Sequence, residues 1–300
     1  MTVRSLGYVI IESTDLEKWR RFAITTLGLM EGPSAADGSL RLRIDERPFR
    51  LAIVPGKADR FVSSGWEFQD AQALDACVRS LKAADVAVRT GSAAEAANRL
   101  VKQVVFCCDP CGNQLELYVG RANDYAPFAS PRGLSGFVAS EQGMGHVVLP
   151  APQLESARAF YQKHLGFADT DEMWLDMTGN PADPRLGIYF MHAQNRRHHS
   201  LALMGGPAPA GCVHIMLEAG TLDDVGRALD RCVADGAHIS SSFGKHSNDF
   251  MLSFYVQTPG GFDLEFGCHG LQPDWSTWVP THSLVSDLWG HRWSPPPPSR

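Results

Sequence analysis

The chain has 300 residues, 44% hydrophobic and 20% charged, with a formal net charge of −6 and a sequence pI near 6.0. That length suits two domains or one duplicated domain, with a core large enough to need no disulfides. The acidic balance argues against a nucleic-acid partner, no stretch reaches the roughly 18 consecutive apolar residues of a membrane span, and seven unevenly spaced cysteines without a signal peptide predict a cytoplasmic, reduced protein.

In chain order, Leu6-Gly-Tyr-Val-Ile-Ile11 reads as an apolar strand. Ser13-Thr14-Asp15 supplies capping residues. Leu16, Trp19, Phe22, Ala23 and Leu27 follow at helical spacing, and Gly28 closes the helix. Strands are predicted over 40–44 and 49–54. A second unit begins near Gly65-Trp66-Glu67-Phe68, with a helix over 71–84 and a last strand at Asn113-Gln-Leu-Glu-Leu-Tyr118. Cys107-Cys108-Asp109-Pro110-Cys111 has a CxxC spacing. It lacks the second ligand pair of a zinc site, and Asp109–Asn113 reads as a turn between strands.

The second half repeats the first. Gly7, Val9, Leu16, Glu17, Arg20, Phe22, Leu27 and Gly28 coincide in type and order with Gly145, Val147, Leu154, Glu155, Arg158, Phe160, Leu165 and Gly166. Leu74-Asp75 with Arg79 and Leu81 matches Leu222-Asp223 with Arg227 and Leu229. The run from Asp109 to Glu116 matches Thr258 to Glu265. Three matches in one order, with slowly growing offsets, define a duplicated chain. Each half holds two βαβββ-type units, which predicts an α+β protein with strongly curved sheets. The expected division is an N-terminal domain over 1–133, a C-terminal domain over 134–291, and a flexible proline-rich tail over 292–300.

Three strands of the second half carry metal-ligating side chains: His146 in Gly143–Leu149, His214 in Val213–Leu217, and Glu265 in Phe262–Phe266. A histidine inside a strand is usually a packing residue. The internal repeat argues otherwise here, because position 146 matches Tyr8, position 214 falls near Trp66, and only Glu265 is matched, by Glu116. Paired loss of both histidines fits a metal site present in one half and absent from the other. Two histidines and one carboxylate form the ligand set of a mononuclear non-haem iron(II) site with open positions. Strand alternation places His214 with Met216, opposite Val213 and Ile215, and sends one of the neighbours His198 and His199 to the cavity and the other away from it. His246, Asn248, Asp249 and Tyr255, just before the strand of Glu265, read as groups surrounding the metal.

Glu141-Gln-Gly-Met-Gly-His146, Arg197-His-His-Ser-Leu-Ala202, Gly244-Lys-His-Ser-Asn-Asp249, Ser253-Phe-Tyr255 and Thr258-Pro-Gly-Gly-Phe-Asp-Leu-Glu265 carry a resemblance over nearly the full length. The chain resembles the type I extradiol ring-cleavage dioxygenases of the vicinal oxygen chelate superfamily, most closely those acting on bicyclic catechols such as 2,3-dihydroxybiphenyl. The resemblance implies two tandem domains of curved, incomplete barrels. It also implies Fe(II), with Mn(II) as the alternative, held by His146, His214 and Glu265. His199 would be the acid–base residue, with His246 and Tyr255 bonding the substrate and Asn248 and Asp249 lining or supporting the pocket. Val148 and Phe190 are expected as apolar walls beside the substrate's substituent. The implied partners are a catechol and O₂, with neither nucleic acid nor membrane, in a homo-oligomer. Steroid catechols, dihydroxynaphthalenes and a glyoxalase-like metal isomerase are the alternatives. Between Phe190 and the histidine pair, around Ala193-Gln-Asn195, the chain is one residue longer than the family pattern.

Overall fold

The computed structural model describes residues 2–180 and 182–295. Its helices start where capping residues stand. Asp15 accepts from the backbone N–H of Lys18, Asp70 from that of Ala73, and Thr221 from that of Asp224, each satisfying a donor that a helix N-terminus leaves free. The first helix, Leu16–Arg20, widens into a π-helical turn over Arg21–Thr26, and Leu154–Phe160 widens in the same way over Tyr161–Leu165. A π-turn is uncommon, so its recurrence at the repeated position marks the duplication in backbone geometry as well as in sequence. The second copy ends at Gly166, whose φ of +74° is left-handed and favours glycine. The helix expected over 71–84 spans Ala71–Lys82, burying Leu74, Cys77 and Leu81 against the sheet.

Each half builds one sheet. The first has eight strands, in the order 30–31, 40–43, 51–55, 3–13, 60–68, 114–119, 103–108 and 89–90. The second places 168–175, 186–192, 201–204, 146–150, 214–218, 263–268, 252–257 and 239–246 in the same order. It then adds one strand at each edge, both from the C-terminal segment: Thr281–Ser283 pairs parallel with Asp171–Met173, and Asp287–Trp289 pairs antiparallel with Lys245 and His246. Ser283 and Asp287 are four residues apart, so the two edges lie within about 14 Å of each other, the reach of an extended chain of that length. The second sheet is therefore curled into an incomplete barrel, and the C-terminal segment crosses its open side.

The expected duplicated α+β architecture with curved sheets is what the chain adopts. A continuous apolar core runs through both halves, and aromatic contacts such as Trp66 on Phe167, with ring centroids 5.1 Å apart, pack the first half onto the second. Cys107, Cys108 and Cys111 are free thiols. Asp109 accepts from the backbone N–H of Cys111 and of Asn113, which shapes the turn read from the sequence. Of the expected tail, Trp293 bridges to Ser241 and the Ser294 N–H donates to the carbonyl of Ser240; residues 296–300 lie outside the described residues.

The insides of the two sheets differ. In the first, Tyr8, Ile10, Phe49, Ala52 and Tyr118 form a separate buried cluster, with the Tyr8 ring 5.2 Å from Phe49 and 5.1 Å from Tyr118. In the second, the equivalent side encloses a cavity of about 460 Å³.

Candidate active site

Strand register sets the site. His146 pairs with Met216, and Met216 with Glu265, across three adjacent strands, so His146 and Glu265 flank the central strand at one level. Gly145 has φ +146°, and a Cβ there would stand 1.8 Å from the Met216 carbonyl. Only glycine brings the strand of His146 this close to its neighbour.

His146 Nε2 and His214 Nε2 lie 3.1 Å apart, and Glu265 Oε2 lies 3.3 Å from the first and 3.6 Å from the second. Ligand atoms about 2.1 Å from one ion are about 3.0 Å apart at right angles and about 3.4 Å apart at tetrahedral angles. The spacing, two imidazoles and one carboxylate therefore fit a divalent metal with open positions. Burial pushes His146 down to about 4, which keeps its ring neutral and its lone pair free. Burial also opposes ionisation of Glu265, but His146, His214 and His246 outweigh it and hold the carboxyl well below the usual range.

All ten residues singled out in the sequence line the 460 Å³ cavity: His146, Val148, Phe190, His199, His214, His246, Asn248, Asp249, Tyr255 and Glu265. Around the charged end, the Tyr255 hydroxyl is 2.8 Å from His246 Nε2, which is 3.3 Å from Glu265 Oε1. Burial pulls His246 down, but hydrogen bonds with Asp287 and Glu265 prevail and raise it well above the usual histidine value. Burial, with the charges of Glu265 and Asp249, raises Tyr255 far above the ordinary phenol. His199 stacks near His146, centroids 4.0 Å apart, and sits edge-on to Phe190. Burial, then its neighbour His146, pushes it well below the usual value. Asn248 Nδ2 is buried without a protein partner among the described residues. The other end is apolar, walled by Met173, Leu186, Ile188, Ala202 and Met204.

One sequence expectation holds for a different reason, and two need correction. Only His199 of the pair His198 and His199 lines the large cavity, as expected, but both lie in an irregular loop before strand Leu201–Met204, buried with their Nδ1 atoms 3.1 Å apart, so the loop and not strand alternation separates them. Val213 precedes the strand His214–Glu218 and lines the cavity instead of facing away. The counterpart of His214 is Ser63, not a residue near Trp66: Tyr8 pairs with Gly65 and Gly65 with Glu116, so Gly65 matches Met216, and two residues back stands Ser63. The first-half equivalents of the three ligands then converge as well. Glu116 accepts from Tyr8 at 2.7 Å and Ser63 at 2.8 Å, and from Arg99 through Nε at 2.7 Å and Nη2 at 2.9 Å. A guanidinium neutralises this carboxylate where the second half assembles a metal site.

The sequence reading did not single out Ser253, whose hydroxyl donates to Glu265 Oε1 at 2.6 Å, nor Asp287 and His291 of the C-terminal segment. Those two sit in a stretch without periodicity. Their one sequence signal is a histidine directly after a glycine.

Residues 6–56 match the family model described as dihydroxybiphenyl dioxygenase BphC D1, and residues 143–266 match that of the glyoxalase/bleomycin resistance protein/dioxygenase superfamily. The chain is 43% identical to the iron-dependent extradiol dioxygenase of Rhodococcus jostii (strain RHA1), covering 98% of each chain. It is 41% identical to the biphenyl-2,3-diol 1,2-dioxygenase of Metapseudomonas furukawaii, covering 97% of this chain and 94% of that one. It superimposes on the crystal structure of BphC, a halotolerant catechol dioxygenase, with a TM-score of 0.89 at 33% identity, covering 97% of this chain and 95% of that one. With this likeness over nearly its whole length, on the glyoxalase-type, vicinal oxygen chelate fold, the chain belongs to the extradiol dioxygenase family.

Proposed function

We propose that the chain is an Fe(II)-dependent extradiol dioxygenase that opens a catechol bearing an apolar ring beside its hydroxyls, with 2,3-dihydroxybiphenyl as the representative substrate. The observation that carries this reading is one cavity with a two-histidine, one-carboxylate cluster at one end and apolar walls at the other. Names borne by relatives at 41% identity, the biphenyl-2,3-diol 1,2-dioxygenases, support the substrate class. Its alternatives within the family are dihydroxynaphthalenes and steroid catechols. The expected 1–133 and 134–291 division then separates a structural half from a catalytic one.

His146, His214 and Glu265 would hold the iron, which would supply open positions for catechol and O₂ and a path for charge between them. The protein's own groups handle protons and orientation. His246 and Tyr255, hydrogen-bonded to each other beside the metal-ligand cluster, offer hydrogen bonds that hold and orient a catechol oxygen. His199, buried and neutral at rest beside Phe190, is placed to take up a proton and return it when the O–O bond breaks. The unpartnered Asn248 amide is a donor for the substrate. Val148 and Phe190 bound the space for the distal ring and exclude water. Both oxygen atoms enter the ring-opened hydroxy-keto-dienoate.

The test is O₂ uptake with 2,3-dihydroxybiphenyl after anaerobic loading with Fe(II). One O₂ consumed per substrate with appearance of the yellow product is expected. No uptake with a panel of catechols refutes the reading. The panel's kcat/KM values order the substrates.

Self-association belongs to the same reading. Val279, Leu284, Val285, Leu288 and Trp289 are exposed apolar residues of the C-terminal segment, the kind of side chain a subunit contact would cover. Light scattering at assay concentration reads the subunit number. A cytoplasmic location fits the seven free cysteines; no described helix is long and apolar enough to cross a membrane.

A further inference from the structure

The C-terminal segment does more than close the barrel's open side, because it delivers two side chains into the hydrogen bonding of the metal cluster. Asp287 Oδ1 lies 2.9 Å from His246 Nδ1, which is also 3.3 Å from the Ser286 carbonyl, and is hydrogen-bonded to His291 Nδ1. His291 Nε2 lies 3.1 Å from the Ser253 carbonyl and 3.2 Å from the Ser253 hydroxyl. That hydroxyl donates to Glu265 Oε1 at 2.6 Å, and Glu265 Oε1 is 3.3 Å from His246 Nε2. Glu265, Ser253, His291, Asp287 and His246 thus form a closed ring of contacts that starts and ends on the metal carboxylate.

The backbone is shaped to make this ring. His291 has φ +46°, a conformation that costs a non-glycine residue energy and persists where surrounding contacts enforce it. It is only 4% exposed. Its neighbour Gly290 has φ +77°, and a Cβ there would stand 2.3 Å from the Phe243 carbonyl. A Cβ on Gly244 would stand 2.4 Å from the His291 nitrogen. Two glycines therefore let the segment sit flush on strand Ile239–His246, so that a strained histidine points inward.

We propose that Asp287, braced by His291, is a positioning residue for the ring-cleavage reaction: it fixes the proton of His246 on Nδ1 and so aims His246 Nε2 at Tyr255 and the substrate oxygen. This rests on the proposed dioxygenase function, since His246 is there a substrate-bonding group. The physical reason is that an imidazole turns about its Cβ–Cγ bond unless a second partner claims one nitrogen. Asp287 is the nearer of the two acceptors at His246 Nδ1 and the charged one. His291 holds the carboxylate from the other side, which stops it from swinging into the cavity and competing for substrate.

The test uses the full chain. In the iron-loaded protein, Asp287→Ala lowers kcat about 10–100-fold with one iron per chain retained, and in a His246→Ala background the same change costs less than about twofold, because two residues acting as one unit do not add. Asp287→Asn, which keeps the volume, gives the same pattern with a smaller loss and serves if the alanine variant does not fold. Independently of turnover, histidine-ring NMR of the metal-free chain shows His246 protonated on Nδ1, and that signal is lost in Asp287→Ala. Equal losses in both backgrounds overturn the proposal, as does an unchanged kcat or an unchanged His246 ring signal. A second metal ion per chain that Asp287→Ala removes also overturns it, because Asp287, His246 and His291 would then be ligands. If the parent protein consumes no O₂ with any catechol, the functional reading fails while the NMR result still decides whether Asp287 holds the Nδ1 proton of His246.

Discussion

Replacing Arg99 with methionine should destabilise the chain by about 3 kcal/mol while leaving the iron site intact. Arg99 grips Glu116 through Nε and Nη2, and the carboxylate is almost fully buried, with the Tyr8 and Ser63 hydroxyls as its other donors. Methionine retains most of the aliphatic stem but removes the only cation of this group, leaving a buried charge with two neutral donors. Breaking one partner of such a pair costs about 3–5 kcal/mol, and the lower end applies because Arg99 keeps some contact with solvent. For a chain of this size that corresponds to a fall in Tm of about 6–12 °C. Adding Glu116→Gln removes the stranded charge, its amide oxygen accepting from one hydroxyl and its N–H donating to the other, and should restore at least half of the loss. Thermal unfolding followed by circular dichroism, with iron per chain measured on the same samples, reads both quantities. A Tm within about 1 °C of the parent refutes the claim that Arg99 replaces a metal's charge in the first half. So does a double variant no better than the single one.

Glu265→Gln should weaken iron binding at least about tenfold, because an amide oxygen is neutral and the histidines lose their anionic partner; metal analysis after dialysis checks it. His199→Ala should cut kcat about 10²–10⁴-fold with iron retained, and iron loss in that variant would make His199 a ligand instead of a proton carrier. Val148→Phe narrows the cavity beside His146 and should lower kcat/KM for 2,3-dihydroxybiphenyl about 10–200-fold more than for unsubstituted catechol, as steady-state O₂ uptake would show. Hydrogen bonding to Arg89, then Ser92, holds Glu95 down at about 2, below the unperturbed value of 4.5. Its contribution to stability is therefore present above that unperturbed value and is lost as pH falls toward 2. Tm measured against pH should drop less steeply over that window for Glu95→Gln than for the parent.

Much of the site is legible in the sequence because duplication makes one half a control for the other. His146, His214 and Glu265 stand on strands whose partners lie in known order, and a strand's two-residue period keeps a ligand's face unless a bulge intervenes. Helix starts were legible too, since a capping side chain acts on a backbone N–H only three residues away. The matching of His214 failed where it depended on pairing between strands. Counting along the chain pointed near Trp66, whereas the register of Tyr8 with Gly65 and of Gly65 with Glu116 selects Ser63. His198 and His199 escaped the alternation rule because they sit in a loop, where no period constrains direction.

The sequence by itself determined the duplicated α+β plan, the candidate ligand set and the asymmetry between the halves, because those follow from local periodicity and from comparison of like positions. Only the tertiary structure decided how each concave face is filled: aromatic rings and Arg99 occupy the first, and a cavity opens in the second. It alone also decided that a segment without periodicity returns across the curled sheet to place Asp287 against His246. Contacts of that kind join residues 41 positions apart through the closure of a sheet, and no local spacing records them.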